Sequence, residues 1–206
     1  MLFRSLLKKT LLADPLASVV GPAFAAPSAL SPLAAWTAAL AWSFELYFDF
    51  SGYSDMAIGL ARIFGVRFPE NFDSPYKARS VIDYWQRWHM TLTRFLTGTI
   101  YNPLALSLMR WCRRRRLGGR GPGFSIVGFA AGHTVPIVAT MLAVGLWHGL
   151  SWTYAVFGLM HAGFLIANHV WRTIRPHAEP AGWMGPATYL CVLAGAIVFK
   201  IGRAHV

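Results

Sequence analysis

The sequence predicts an all-α, polytopic transmembrane protein, and three observations carry that expectation. From Gly121 to Trp171 the chain runs 51 residues without an Asp, Glu, Lys or Arg. Of its 206 residues, 55% are hydrophobic and 13% charged, with a mean hydropathy of +0.44, whereas a soluble domain carries about 25% charged residues. The net charge of +11 is also unevenly placed: Lys8 and Lys9, Arg62 and Arg67, Arg110 with Arg113 to Arg116 and Arg120, and Arg172 with Arg175 stand between apolar stretches. Basic clusters so spaced mark cytoplasmic loops that face anionic headgroups. Membrane lipid is therefore the expected partner, and nucleic acid is not. The short alternating strands that a barrel would need are absent from the sequence.

A helix needs about 20 apolar residues to cross a hydrocarbon core some 30 Å thick. Leu16 to Leu33 is apolar but carries Pro22, Pro27 and Pro32, so it reads as one kinked span or a re-entrant segment. Ala34 to Phe50 is a better span, with Trp36, Trp42 and Tyr47 as interfacial anchors. Glu45, Asp49 and Asp55 lie in or beside it, and should face protein, water or a basic partner such as Arg62. Phe64 to Ser80 is a polar, proline-containing loop expected on the cytoplasmic side. Asp83 to Thr99 places Trp85, Trp88, Leu92, Phe95 and Leu96 at helical spacing, an amphipathic helix lying at the interface or packed under the bundle. The uncharged stretch would be about 77 Å long as helix, enough for two crossings, with a turn near Gly145 to Ser151. Trp183 to Phe199 begins another crossing, for about five membrane segments in all. Cys112 and Cys191 are isolated, with neither a disulfide framework nor metal-ligand spacing. Residues 1–200 are expected to form a single, partial membrane domain truncated at both ends. Ile201 to Val206 matches the peptide encoded by a common sequencing adapter, so His205 and Arg203 are given no functional weight.

The chemistry is expected at histidines. His148 sits in Gly145-Leu146-Trp147-His148-Gly149, inside the uncharged stretch. An imidazole persists there chiefly where it lines a cavity or handles protons; a core histidine bonded to a carbonyl is the plainer alternative. His161 lies thirteen residues on, about 220° around a continuous helix, so a joint role needs a turn, which Gly149-Leu150-Ser151 supplies. His133 and His169 read as packing or interfacial residues. His89 follows Trp88 in the amphipathic helix, and the two Trp-His pairs lie in elements that could converge.

Phe48-Asp49-Phe50-Ser51-Gly52-Tyr53-Ser54-Asp55-Met56-Ala57-Ile58-Gly59, then Pro69-Glu70-Asn71-Phe72 with Pro75-Tyr76, then Arg87-Trp88-His89-Met90-Thr91-Leu92, then Leu146-Trp147-His148-Gly149 occur in that order. Together they resemble the signatures of membrane-bound O-acyltransferases, most of all the bacterial alginate O-acetylation branch and its D-alanyl-transfer relatives. The resemblance implies a helical membrane fold with a funnel or tunnel, located in the bacterial inner membrane. It implies His148 as the catalytic residue and His89 as the second polar position of the active site. After Leu96 the chain departs from the family's Arg-Asp-Tyr and Gly-Gly pattern, reading Thr97-Gly98-Thr99-Ile100-Tyr101-Asn102-Pro103-Leu104.

The implied reaction moves an acyl group, acetyl in the closest branch, from a thioester such as acetyl-CoA to a hydroxyl of an exported or cell-surface polysaccharide. No bound cofactor or metal is expected, and an extracytoplasmic acetyltransferase is a candidate partner. His148, kept neutral by burial, would act as general base, with an acyl-histidine intermediate as the alternative, while His89 would orient donor or acceptor or polarise the carbonyl. Trp147 and Trp152 would wall the tunnel, and Trp88, Asp55 and His161 are further substrate-contacting candidates. Two other classes stand beside this one. A transporter or channel would use Glu45, Asp49 and Asp55 as an ion path, and a membrane haem protein would use paired histidines.

Overall fold

A computed structural model of the chain describes residues 2–117, 125–177, 179 and 181–203. The glycine-rich stretch 118–124, with Arg120, and residues 204–206, the end of the expected adapter tail, lie outside the described residues. Every regular element among the described residues is helical. The chain forms two compact units, Met1–Pro75 with Arg87–Thr91, and Tyr76–Gln86 with Leu92–Val206.

In the first unit, α1 (Leu2–Leu7) passes through a π-helical turn (Lys8–Ala13) into α2 (Asp14–Ala25), and all three pack on α3 (Pro32–Ile63). The expected kinked segment is thus a helix that ends at Ala25, three residues after Pro22, followed by a 3-10 turn at Pro27–Ala29. Ser31 caps α3 by accepting from the Ala34 N–H at 3.3 Å, with Pro32 at its first position, where the missing proline N–H does no harm. The helix then runs 32 residues, well past Phe50, where the expected span stops. Its buried face is mostly small, with Ala38, Ala39, Ala41, Ser43, Ser51, Gly52, Ser54 and Ala61 beside the larger Trp42 and Ile58. Small residues let backbones approach: a Cβ at Gly52 would lie 3.1 Å from the Ser5 carbonyl oxygen. Two acids on α3, Asp49 and Asp55, are met by cations from the turn between α1 and α2. Lys8 Nζ lies 2.8 Å from Asp55, and Lys9 Nζ lies 2.7 Å from Asp49 and 2.9 Å from Asp14. Those carboxylates hold the Lys9 ammonium above its ordinary pKa. The expected basic partners include Lys8 and Lys9, forty or more residues away in sequence. Gly65, at φ +73, closes the helix in the left-handed region as its N–H bonds to the Arg62 carbonyl.

The second unit holds most of α4 (Val81–Arg87), then α5 (Met90–Leu96), a π-helical turn (Thr97–Tyr101) and α6 (Asn102–Arg114). The single amphipathic helix expected over 83–99 is therefore two helices, broken at Trp88 and His89. The next helix starts as α7 (Ile126–Phe129) and continues through a π-helical turn (Ala130–Thr134) into α8 (Val135–His148). After the break that Gly149-Leu150-Ser151 was expected to supply come α9 (Trp152–Ile174) and α10 (Met184–Arg203). Helix α9 packs on both α8 and α10. Two glycines set the α8–α9 approach: a Cβ at Gly145 would collide with the Tyr154 carbonyl oxygen, and one at Gly158 with that of Met141. This is close backbone contact through small residues, as membrane helices use.

By length and composition two described helices could cross a membrane, Ile126–His148 and Met184–Gly202. The expected five are not all of that kind. Helix α2 has 12 residues, α3 carries Glu45, Asp49, Asp55 and Arg62, and α9 dilutes its apolar residues with His, Asn and Gly.

Candidate active site

The first cluster forms where the chain breaks between α4 and α5. His89 stands there at φ +44, a left-handed conformation uncommon for a residue with a side chain. Backbone bonds to residues 71–73 hold it: the Asp73 N–H donates to the Arg87 carbonyl at 3.0 Å, and the Met90 N–H to the Asn71 carbonyl at 2.9 Å. The Arg87 guanidinium also bonds the Asp73 carboxylate at 3.2 Å. The Asn71 side chain collects three further contacts on one oxygen. Its Oδ1 lies 3.0 Å from His89 Nδ1, 3.3 Å from the Thr91 N–H nitrogen and 2.9 Å from Thr91 Oγ1. Its Nδ2 donates to Ser54 Oγ at 3.2 Å, fastening the break to α3.

Aromatic rings surround this corner. Phe50 meets the His89 ring edge-on at 4.8 Å, and Phe72 meets Trp88 at 5.0 Å. Tyr47 lies against Phe72 and Trp88. Burial lowers the His89 pKa below 6.5, so the ring is neutral at pH 7. Asn71 and Ser54 also line a cavity of about 270 Å³ with Asp55, Lys8, Glu70 and Tyr47. Asp55 is thus a cavity residue, but one engaged by Lys8.

The second cluster lies at the end of α8. His148 is the last residue of that helix; Gly149 follows in extended conformation, its N–H returning to the Leu146 carbonyl at 3.2 Å. The His148 ring packs on Phe199 of α10 and on Trp147, both at 4.7 Å, and nears Tyr154 and Phe157 of α9. Its expected burial is not what the structure has: His148 is exposed. An uncharged run reports composition, and a helix that stops at Gly149 puts its last residue at the end of the span. Trp147 and Trp152, the expected tunnel walls, are 65% and 87% exposed and stand on the surface of this unit.

Among the described histidines the buried one is His161, at 2% exposure. Its ring meets Phe157 at 4.7 Å and Trp85 of α4 at 5.2 Å. A Cβ on Gly195 of α10 would collide with its Nε2. His148 and His161 thus share Phe157 as a neighbour, the association for which a turn was required. His133 and His169 stack at 4.6 Å, with Tyr101 Oη 3.1 Å from His133 Nδ1; their packing role is as expected.

The family model of the membrane-bound O-acyltransferases matches residues 7–116. The chain belongs to that family. A probable alginate O-acetylase of Azotobacter vinelandii is 36% identical over 200 residues, covering 94% of this chain and 35% of that relative. A peptidoglycan O-acetyltransferase of Helicobacter pylori is 40% identical over 164 residues, 80% of this chain and 27% of the relative. A teichoic acid D-alanyltransferase of Bacillus subtilis is 30% identical over 158 residues, 77% of this chain and 36% of the relative. The chain spans about a third of the length of these membrane-bound O-acyltransferase relatives. The family match includes Asp55, Asn71, Trp88 and His89, while His148 and His161 lie beyond it.

Sequence reasoning passed over Asn71 and Trp85 as site residues. Asn71 lay in a quoted motif, yet nothing in sequence ties it to a histidine eighteen residues later. Trp85 read as one more apolar position of an amphipathic helix.

Proposed function

We propose that the protein carrying this chain is a membrane O-acyltransferase that moves an acetyl group from a thioester such as acetyl-CoA to a hydroxyl of an exported or cell-surface polysaccharide. The observation that carries this reading is membership of the membrane-bound O-acyltransferase family. The names of the relatives favour transfer to cell-envelope polymers, two by acetyl and one by D-alanyl. We assign the protein to the bacterial inner membrane as a multi-pass protein, with an extracytoplasmic acetyltransferase as its partner.

His148 is the proposed general base. Its imidazole takes the proton of the acceptor hydroxyl as that oxygen bonds to the thioester carbonyl carbon. The C–S bond then breaks, and the proton passes to the departing thiolate. Base catalysis of this kind contributes typically about 10² to 10⁴-fold. His89 is the second polar group of the site, and Trp88, Trp147, Trp152, Asp55 and His161 are assigned to substrate contact. In the complete protein, His148→Ala should abolish polymer acetylation while leaving membrane insertion intact. Wild-type levels of O-acetyl groups on the polymer of that variant refute the assignment.

A further inference from the structure

The net charge of +11 resides in one of the two units. Met1–Pro75 with Arg87–Thr91 holds six Lys or Arg and six acids, whereas Tyr76–Gln86 with Leu92–Val206 holds thirteen Lys or Arg and two acids, Asp83 and Glu179. Two basic clusters that look alike in sequence therefore differ in the fold. Lys8 and Lys9 are neutralised by Asp55, Asp49 and Asp14. Arg110 and Arg113 to Arg116, at the end of α6, are all exposed and pair with no carboxylate among the described residues. The C-terminal helix dipole supplies about half a negative charge, too little for five guanidiniums.

Their arrangement selects the partner. Arg113, Arg114 and Arg115 follow one another at about 100° around the helix axis. Arg116 comes next on a left-handed backbone at φ +55, where the Leu117 N–H closes the helix onto the Cys112 carbonyl at 3.0 Å. The cluster is thus a collar around the helix end, not a patch on one face. An acidic protein seated on one side would meet part of it; a plane of headgroups meets all of it. Residues earlier on α6 fix the depth. Leu106 and Met109 are exposed and lie about 60° apart on one face, and exposed Trp111 comes between them and the collar. Leu106 lies about 10 Å from Arg113 along the axis, and the headgroup zone is about 5–7 Å deep on each side of the hydrocarbon. With Leu106 and Met109 at the hydrocarbon edge, Trp111 stands at the interface that tryptophan favours, and the arginines reach the phosphates.

We propose that the end of α6 is a binding collar for anionic phospholipid, in which Arg110 and Arg113 to Arg116 hold headgroup phosphates and Leu106 and Met109 lie along the acyl chains. Guanidinium forks match phosphate oxygens in pairs. Basic flanks in general set which side of the membrane a loop takes; this collar prefers an anionic headgroup to a zwitterionic one. The proposal goes beyond the acyl-transfer reading and uses none of its residues.

The test is native mass spectrometry of the complete protein, purified in detergent with equal amounts of phosphatidylglycerol and phosphatidylcholine, and it reads the lipids retained. Wild type should retain phosphatidylglycerol in preference. Changing Arg113 to Arg116 together to Gln should reduce that preference at least about tenfold, since each cation near the surface contributes several-fold. A matched variant, Lys77→Gln/Arg79→Gln/Arg172→Gln/Arg175→Gln, removes the same number of exposed charges from the same unit and should leave the preference largely unchanged. Equal losses in the two variants overturn the proposal, because attraction then follows net charge and not the collar. Where the fourfold collar variant fails to insert, Arg113→Gln/Arg115→Gln leaves Arg110, Arg114 and Arg116 to set orientation and should still lower the preference about fivefold or more; an unchanged preference in it is equally fatal. A wild type without lipid preference also overturns the proposal, whether coenzyme A phosphates or an acidic protein bind the arginines instead. No readout depends on turnover, so the acyl-transfer reading stands or falls separately.

Discussion

Replacing Gly158 by alanine tests the close approach of α8 and α9, with Gly163 on the same helix as the control. A Cβ at Gly158 collides with the Met141 carbonyl oxygen and lies 3.0 Å from its carbon and 3.2 Å from Leu142 Cα. Unstrained carbon contacts need about 3.5–4.0 Å, so the helices must part by roughly 0.5–1 Å. A gap of that size forfeits about a quarter to a half of each contact's dispersion energy. Since the obstacle is backbone, no side chain can swing aside, and overpacking of this kind costs about 1–3 kcal/mol. Alanine gains about 0.8–1.0 kcal/mol over glycine in a helix, but both variants share that gain. At Gly163, with nothing within 4 Å, the gain stands alone. Gly158→Ala should therefore be less stable than Gly163→Ala by about 1–3 kcal/mol. Thermal unfolding of the purified full-length protein in detergent, followed by tryptophan fluorescence, measures the difference. If Gly158→Ala unfolds no lower than Gly163→Ala, the glycine seam does not set the helix spacing.

The left-handed backbone at His89 makes a second prediction. His89→Gly should be more stable than His89→Ala by about 1 kcal/mol, because alanine keeps the strain and glycine does not; equal unfolding midpoints would refute it. A third concerns pH. Burial lowers the His89 pKa in the folded chain, so between that value and 6.5 the unfolded chain binds more protons. Stability is then highest above pH 6.5 and falls as pH drops through the folded pKa. His89→Gln should flatten the acid side of a melting-temperature profile between pH 7 and 5, and an unchanged slope would show that His89 does not contribute.

How much of this was legible in sequence follows from the range of each interaction. The helical class, the break at Gly149 to Ser151 and the start of the last helix near Trp183 were readable, because hydropathy, glycine and helix period act over a few residues. The family was readable from four motifs in order. Helix α3 runs past Phe50, where the expected span stops, and the partners of Asp49 and Asp55, Lys9 and Lys8, lie forty or more residues earlier, beyond the reach of any local pattern. The single helix expected over 83–99 failed for a related reason: the bonds that break it come from Asn71 and Asp73, on a separate loop.

The sequence by itself determined that this is a helical membrane chain of the O-acyltransferase family. Apolar composition and basic flanks suffice for that, since they fix which segments leave water. Only the tertiary structure decided which histidine is buried and which is tied to an amide on a separate loop. His161 is enclosed by Trp85, Phe157 and Gly195, whereas His148 ends its helix in the open. His89 lies against an amide oxygen eighteen residues earlier that Thr91 also bonds. Burial and hydrogen-bond partners are properties of neighbours brought together by packing, and the spacing of residues along a chain does not record them.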